Sequence, residues 1–269
     1  LPGFEAGQVI RHLPQATALM GVPTFYTRLL DDPRFTRDLV AHMRLFVSGS
    51  APLLAETHDS FAARTGHRIL ERYGMTETNM NTSNPYFGER RAGPVGLPLA
   101  GVELRLSDVI EGVGMIEVRG PNVFAGYWQM PEKTAEELRP DGWFITGDLG
   151  KRDADGYVHI VGRAKDLVIT GGYNVYPKEV ELVLDEVPGV LESAVIGLPH
   201  PDFGEAVFAV IVLNKGTVIT VDAVLAAVQD RLARFKQPKA AVIVADLPRN
   251  TMGKVQKNLL RETYKGWFS

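Results

Sequence analysis

The sequence contains no cysteine. That absence excludes disulfide cross-links, thiolate metal sites and a cysteine nucleophile, and it agrees with a reducing compartment, so a cytoplasmic location is expected. No run approaches the roughly 18 apolar residues of a membrane span, and there is no basic, apolar leader, so no membrane partner is expected. An excess of positive charge is also missing. Lys and Arg number 29 against 32 Asp and Glu, a formal net charge of -3, which argues against nucleic acid as the main partner. The histidines, His12, His42, His58, His67, His159 and His200, show no metal-ligand spacing, and no Ser-His-Asp arrangement stands out. Chemistry must therefore come from oxygen, nitrogen and charge.

What is present is a globular composition: 269 residues, 45% hydrophobic and 23% charged, enough for two domains. The opening LPGFEAGQVI reads as the inside of a fold, so a longer polypeptide is expected. GQVIRHL reads as helix, ATALMGVP as a buried strand and TFYTRLLDD as helix again. RLFVSGSAPL is an apolar strand entering a small-residue turn, LLAETHDSFAARTG an amphipathic helix ended by Gly66, and HRILERYGMTET a second strand with a polar loop. Strand, helix, strand is a βαβ unit, whose ligands bind at the carboxyl ends of the strands.

From residue 92 the texture changes to short alternating runs, VELRL, GMIEVRG and GYVHIVG, which suit a small antiparallel sheet or barrel. After Gly162 come a hairpin (DLVITGGYNVY), a helix opening at Pro177, two strands (SAVIGLP, AVFAVIVLN), a helix (VDAVLAAVQDRLARF), another strand (AAVIVADLP) and a short terminal helix. The expected class is α+β multidomain. A βαβ portion over about 1–91 and a small β-barrel over about 92–163 make one domain, and 164–269 a small α+β domain, with the boundary at residues 163–166.

The loops carry the chemistry. Small residues from Ser48 to Ala51 let a flat ligand lie against the backbone. In RYGMTET, Thr76 offers a hydroxyl and Glu77 a carboxylate, hard ligands suited to a Mg²⁺ bound to phosphates. Asp148 in WFITGDLG can chelate ribose hydroxyls, and Arg163 in VGRAKD can donate to the same sugar or to a phosphate. In LPRNTMGKVQK, Arg249 and Lys257, with Arg261 just beyond, crowd around Lys254 with no acidic residue in the stretch. Either this is a solvated surface, or Lys254 is held out to meet phosphate.

RYGMTET, TGDLG, GRAKDLVITGGYNVYPKEVE and LPRNTMGKVQK, in this order, resemble the carboxyl-terminal half of the adenylate-forming acyl-CoA synthetase superfamily, which includes aryl-CoA synthetases, adenylation domains and luciferase. ERYGMTETNMNTSNPYFGERRAGPVGLPLAGVELR resembles the malonyl-CoA synthetases more particularly. The resemblance makes 1–163 the carboxyl-terminal part of the large AMP-binding domain and 164–269 a mobile domain. It implies ATP, Mg²⁺ and CoA, and an acid-thiol ligase acting through an acyl-adenylate. Ser50, Ala51, Tyr73 and Gly74 are then expected around adenine, Thr76 at the α-phosphate, Glu77 on Mg²⁺, and Asp148 and Arg163 on ribose. Lys165 falls at the hinge, Gly172 beside the pantetheine arm, and Lys254 at the lysine needed for adenylation.

Malonate or methylmalonate is the expected acid, with Arg28 on its distal carboxylate, Ser48 as a hydroxyl partner and Met75 lining the acyl pocket or simply packing. Other expectations stay open: a short fatty or aryl acid, a carrier-protein acceptor, or an isolated non-catalytic module that binds nucleotide or a partner. Ile145 is a departure, since many relatives carry Arg or Lys before the threonine, and no phosphate role is expected there. The family's phosphate loop of the TSGTTG kind is absent from the sequence and is expected in an upstream segment of the same polypeptide. The resemblance also makes Lys254 a candidate for acetylation, with an acetyltransferase and a deacetylase as partners.

Overall fold

The computed structural model describes residues 4–51, 53–250 and 253–268. The chain forms two compact units, Leu1–Ile160 and Val161–Ser269. In the first unit α1 (Ala6–His12), β1 (Ala18–Gly21), α2 (Pro23–Leu30), α3 (Arg37–Val40), β2 (Leu45–Ser48), α4 (Ala55–Thr65) and β3 (Leu70–Tyr73) follow in order. β1, β2 and β3 pair in parallel, with Met20 opposite Val47 and Val47 opposite Leu70. The short β4 (Thr82–Ser83) and β5 (Leu97–Pro98) extend this sheet antiparallel.

The local signals explain the boundaries. Pro23 opens α2 with its φ already helical and no N–H to leave unpaired. Gly66 closes α4 at φ +78, in the left-handed region, with its N–H on Ala62 O. Between helices and sheet sits an aromatic cluster: Phe61 of α4 meets Tyr26, Phe35 and Phe46 at ring distances of 5.4, 5.7 and 5.0 Å. The Tyr26 hydroxyl donates to Val47 O at 2.6 Å, which fastens α2 to the central strand. The sheet's other face is open. Met20, Leu45, Val47, Leu70, Leu97 and Leu99 border a cleft of about 540 Å³ there, and Met20 is 59% exposed.

A second sheet follows from β6 (Glu103–Ile110), β7 (Val113–Arg119), β8 (Phe144–Arg152) and β9 (Val158–Arg163), in that spatial order, with α5 (Pro131–Glu137) between β7 and β8. β7 pairs antiparallel with both β6 and β8. The mixed α+β class holds, but the expected barrel does not: among the described residues this is an open sheet with β6 and β9 as its edges. Four strands are too few to curl round an interior filled by side chains. The sheet instead packs one face on Leu104, Ile116, Val118, Phe144 and Val158.

The second unit contains β10 (Val168–Thr170), β11 (Tyr173–Val175), α6 (Pro177–Asp185), β12 (Val190–His200), β13 (Gly204–Leu213), α7 (Val221–Val228), β14 (Ala240–Val244) and α8 (Lys257–Tyr264). Its sheet runs β11-β10-β13-β12, with β14 parallel on β13. Both faces are buried. Val207, Ala209 and Ile211 of β13 turn to α6 and α7, while Phe208, Val210 and Val212 turn to α8, which is why AVFAVIVL is apolar without alternation. The long helix expected over 221–235 stops at Val228. Beyond it the Gln237 side-chain amide donates to Gln229 O and Leu232 O, carbonyls that further helical turns would have used. Among the described residues no helix is long and apolar enough to cross a membrane.

Phe61 is wholly buried at the centre of four rings. Phe61→Ala is expected to destabilise the first unit by about 3–5 kcal/mol, seen as a lowered urea midpoint at unchanged slope.

Candidate active site

β2 and β3 lie side by side in parallel, with Ser48 opposite Glu71, so the loops that follow them leave the same edge of the sheet. In the first loop Ser50 adopts φ +69, a left-handed conformation that costs a non-glycine residue about 1–2 kcal/mol. Ser50 and Ala51 are both exposed, and Pro52 lies outside the described residues. Ser48 is 1% exposed, and its Oγ has no hydrogen-bond partner among the described residues.

The second loop turns back sharply. Asn81 N donates to Tyr73 O at 2.9 Å, so β4 can pair with β3. Gly74 allows the turn, because a Cβ there would stand 1.9 Å from Asn79 O. Met75 is half-buried against the core of the second sheet, in a packing role. Thr76 is exposed and Glu77 half-exposed. Asp148 comes from the middle of β8 and is 4% exposed. The Tyr73 hydroxyl donates to Asp148 Oδ2 at 2.5 Å, so two residues predicted to share a nucleotide do meet.

Two residues of the same motif escaped the sequence reading. Arg72 lines a cleft of about 220 Å³ with Phe25, Gly49 and Ser50; its Nη1 approaches Met80 Sδ at 3.5 Å, and its Nε is buried without a partner among the described residues. Arg28, by contrast, is exposed in the last turn of α2, 6.0 Å from the Phe4 ring, and does not line the cleft. Glu71, 3% exposed, accepts from Gly93 N at 3.0 Å and from the backbone of Leu53, clasping both neighbouring loops. Both residues stand in ERYGMTET, but only the strand register shows that they take opposite faces.

The remaining candidates belong to the second unit. Arg163 ends β9, Lys165 is exposed in a single 3₁₀ turn, Ala164–Asp166, and Gly171 and Gly172 form the β10–β11 turn at φ +55 and +84. Positive φ at both positions is a type I′ hairpin, and beside Gly172 lies open space. Gly171 N donates to Phe203 O, with Lys239 Nζ 5.6 Å from the Phe203 ring.

The turn bearing Lys254 is closed by its backbone. Lys254 N donates to Asn250 Oδ1, Asn250 N to Lys254 O and Gly253 N to Asn250 O, each at 2.9 Å; Thr251 and Met252 lie outside the described residues. The cations around Lys254 find acids outside their own stretch. Arg249 pairs with Glu192, Lys257 with Glu181 at 2.5 Å and Arg261 with Asp166 at 2.6 Å. Folding brings these acids from remote parts of the chain. No such pair is recorded for Lys254 among the described residues, and it is exposed.

Parallel strand ends that present a tyrosine and a hydroxyl loop, with an aspartate of the antiparallel sheet on the tyrosine hydroxyl, followed in the chain by an α+β unit, define a nucleotide-binding class. Residues 8–128 match the family of AMP-binding enzymes and residues 179–254 the AMP-binding enzyme C-terminal domain, and the chain belongs to this family. Within it the chain is similar to a malonate-CoA ligase of Arabidopsis thaliana, 41% identical over 92% of this chain and 44% of the relative. It is similar also to a long-chain-fatty-acid-CoA ligase of Yersinia pestis, 38% identical over 91% of this chain and 45% of the relative. The crystal structure of ATP-bound MatB from Rhodopseudomonas palustris superposes with a TM-score of 0.95 and 61% identity, covering all of this chain and 55% of that one. The chain thus spans about half the length of the relatives it matches.

Burial pushes the Glu71 carboxyl up from its ordinary 4.5 to about 7, against the pull of the Gly93 and Leu53 N–H donors. The folded state therefore holds this proton more tightly than the unfolded chain does. The stability it lends is full below about pH 4.5 and is lost as pH rises to about 7, on the order of 3 kcal/mol. Glu71→Gln is expected to flatten this part of the stability-pH curve, measured by chemical denaturation at pH 5 and pH 8.

Proposed function

We propose that this chain serves an ATP-dependent, AMP-forming acid-CoA ligase whose acid is malonate or methylmalonate. The observation that carries the choice of acid is Arg72, a guanidinium that lines the cleft beside Ser50 and has one buried N–H with no partner among the described residues. A cation so placed is an unfavourable lining for an alkyl chain and a suitable one for a second carboxylate. The buried Ser48 hydroxyl, which has no partner among the described residues, supports the same reading as a further donor, whereas Arg28 is exposed on α2 and does not line the cleft.

In the first step a substrate carboxylate oxygen attacks the α-phosphorus of ATP, the bond to the β-phosphate breaks and pyrophosphate leaves. Tyr73, Gly74, Ser50 and Ala51 surround the adenine, and Asp148 and Arg163 take the ribose hydroxyls. The Glu77 carboxylate fits Mg²⁺, which takes few protein ligands and completes its shell with phosphate and water, and Thr76 meets the α-phosphate. When bound, Mg²⁺ spreads the phosphate charge. Lys254 neutralises the phosphoryl oxygens, and the pairing of its cationic neighbours leaves it available for that role. The Ser/Thr/Gly-rich phosphate loop is assigned to an upstream segment of the same polypeptide.

In the second step the CoA thiol gives its proton to water, its sulfur attacks the acyl carbon, and the acyl C–O bond breaks so that AMP leaves with the electron pair. The open space beside Gly172 admits a thin pantetheine arm, and Phe203 with Lys239 offers an aromatic face and a cation next to it. Lys165, exposed in its short turn between two strands, is the hinge between the steps. Acetylation of the exposed Lys254 would remove its charge and stop the first step.

In the full-length protein, Lys254→Ala is expected to lower adenylation, read by pyrophosphate release, by about a hundredfold or more while sparing thioester formation from preformed acyl-AMP. Equal loss of both half-reactions refutes this role. Arg72→Leu is expected to lower kcat/KM for malonate by about a hundredfold and leave butyrate little changed. An unchanged malonate-to-butyrate ratio overturns the choice of acid while leaving the ligase reading intact.

A further inference from the structure

Residues 120–127 lie against the loop that carries Glu77. Asn122 Nδ2 donates to Thr78 O at 2.8 Å, Asn79 Nδ2 to Asn122 O at 3.2 Å and Phe124 N to Glu77 O at 2.8 Å. These bonds fix the peptide of Glu77 and leave its carboxylate to be directed by something else. The group that reaches it is the Tyr127 hydroxyl, 3.2 Å from Glu77 Oε1 and 2.5 Å from Glu137 Oε2.

The phenol is itself held from α5. Tyr127 N donates to Thr134 Oγ1 at 2.9 Å, and the chain can come this close because residue 126 is glycine, where a Cβ would stand 2.7 Å from Thr134. Glu137 receives an ion pair from Lys133 Nζ at 2.6 Å, one turn earlier on the same helix. Lys133, Glu137, Tyr127 and Glu77 thus form a chain of contacts that ends at the candidate cation ligand.

A phenol has one proton and two carboxylates here to choose between. Pointed at Glu77, the proton holds that carboxylate in place; turned to Glu137, it leaves both Glu77 oxygens free to accept from elsewhere. We propose that Tyr127 is a positioning residue for the cation at Glu77, a second partner that orients the metal ligand without touching substrate. This rests on the reading of Glu77 as the Mg²⁺ ligand.

The test is calorimetric titration of the full-length protein with the α,β-methylene analogue of ATP, in Mg²⁺ and in EDTA. Wild type, Tyr127→Phe, Glu77→Gln and the double variant are compared, each with its melting temperature. Tyr127→Phe is expected to weaken binding about tenfold in Mg²⁺ and by less than about twofold in EDTA. It should have no further effect once Glu77 is glutamine, as for two groups acting in series. Wild-type binding in Tyr127→Phe, equal weakening in both media, or an undiminished effect in the Glu77→Gln background overturns the assignment. A wild type that binds the analogue equally with and without Mg²⁺ overturns the reading of Glu77 first, and this proposal with it.

Discussion

The parallel pairing of β2 with β3 is the constraint on which the first unit's site depends. Two backbone partners, Val47 with Leu70 and Ser48 with Glu71, set the small-residue loop beside the tyrosine loop. Parallel strands need a crossover, and α4 supplies it while burying Phe61 among three other rings. The register also sorts charge. Arg72 shares the cleft face with Leu70 and Val47, and Glu71 points the other way into its clasp of backbone donors. A slip of one residue would exchange the two, putting a carboxylate in the cleft and a guanidinium in the interior.

The ionisable groups within each unit are distinguished by the kind of partner each has. Glu71 is held by backbone N–H groups, Asp148 by a phenol, and Arg249, Lys257 and Arg261 by carboxylates. A group satisfied by a neighbouring opposite charge is committed to structure, whereas the buried N–H of Arg72 and hydroxyl of Ser48, without a partner among the described residues, still have bonding capacity to offer a ligand. The same distinction separates Lys254 from the cations around it. Seen as sequence, LPRNTMGKVQK is a uniform basic patch; folded, it is a set of ion pairs with an exposed lysine in the turn.

Much of the architecture was legible because proline and glycine act locally. Gly66, Gly171, Gly172 and Pro177 mark element ends that depend on backbone angles alone, and Gly66 closes the helix of the βαβ unit. The open second sheet was less legible, since alternation reports a half-buried strand but not whether the edges close. Long-range pairs were invisible: nothing near Arg261 in the sequence points to Asp166. Arg28 was picked out by the malonyl-CoA synthetase resemblance as a cation for a second carboxylate, while Arg72 was hidden inside a motif whose other residues already had roles; that Arg72 lines the cleft is a tertiary feature.

The closed turn around Lys254 bears on entropy. Its three backbone-level bonds mean that residues 250 and 253–254 have already lost their main-chain freedom in the folded unit. What remains to be ordered when the lysine meets an anion is its own four-carbon stem, up to about 2 kcal/mol of rotamer freedom, and not a loop search. A long side chain on a stiff base behaves as a tethered charge with a small, fixed radius of action. The turn therefore sets how far the charge can reach.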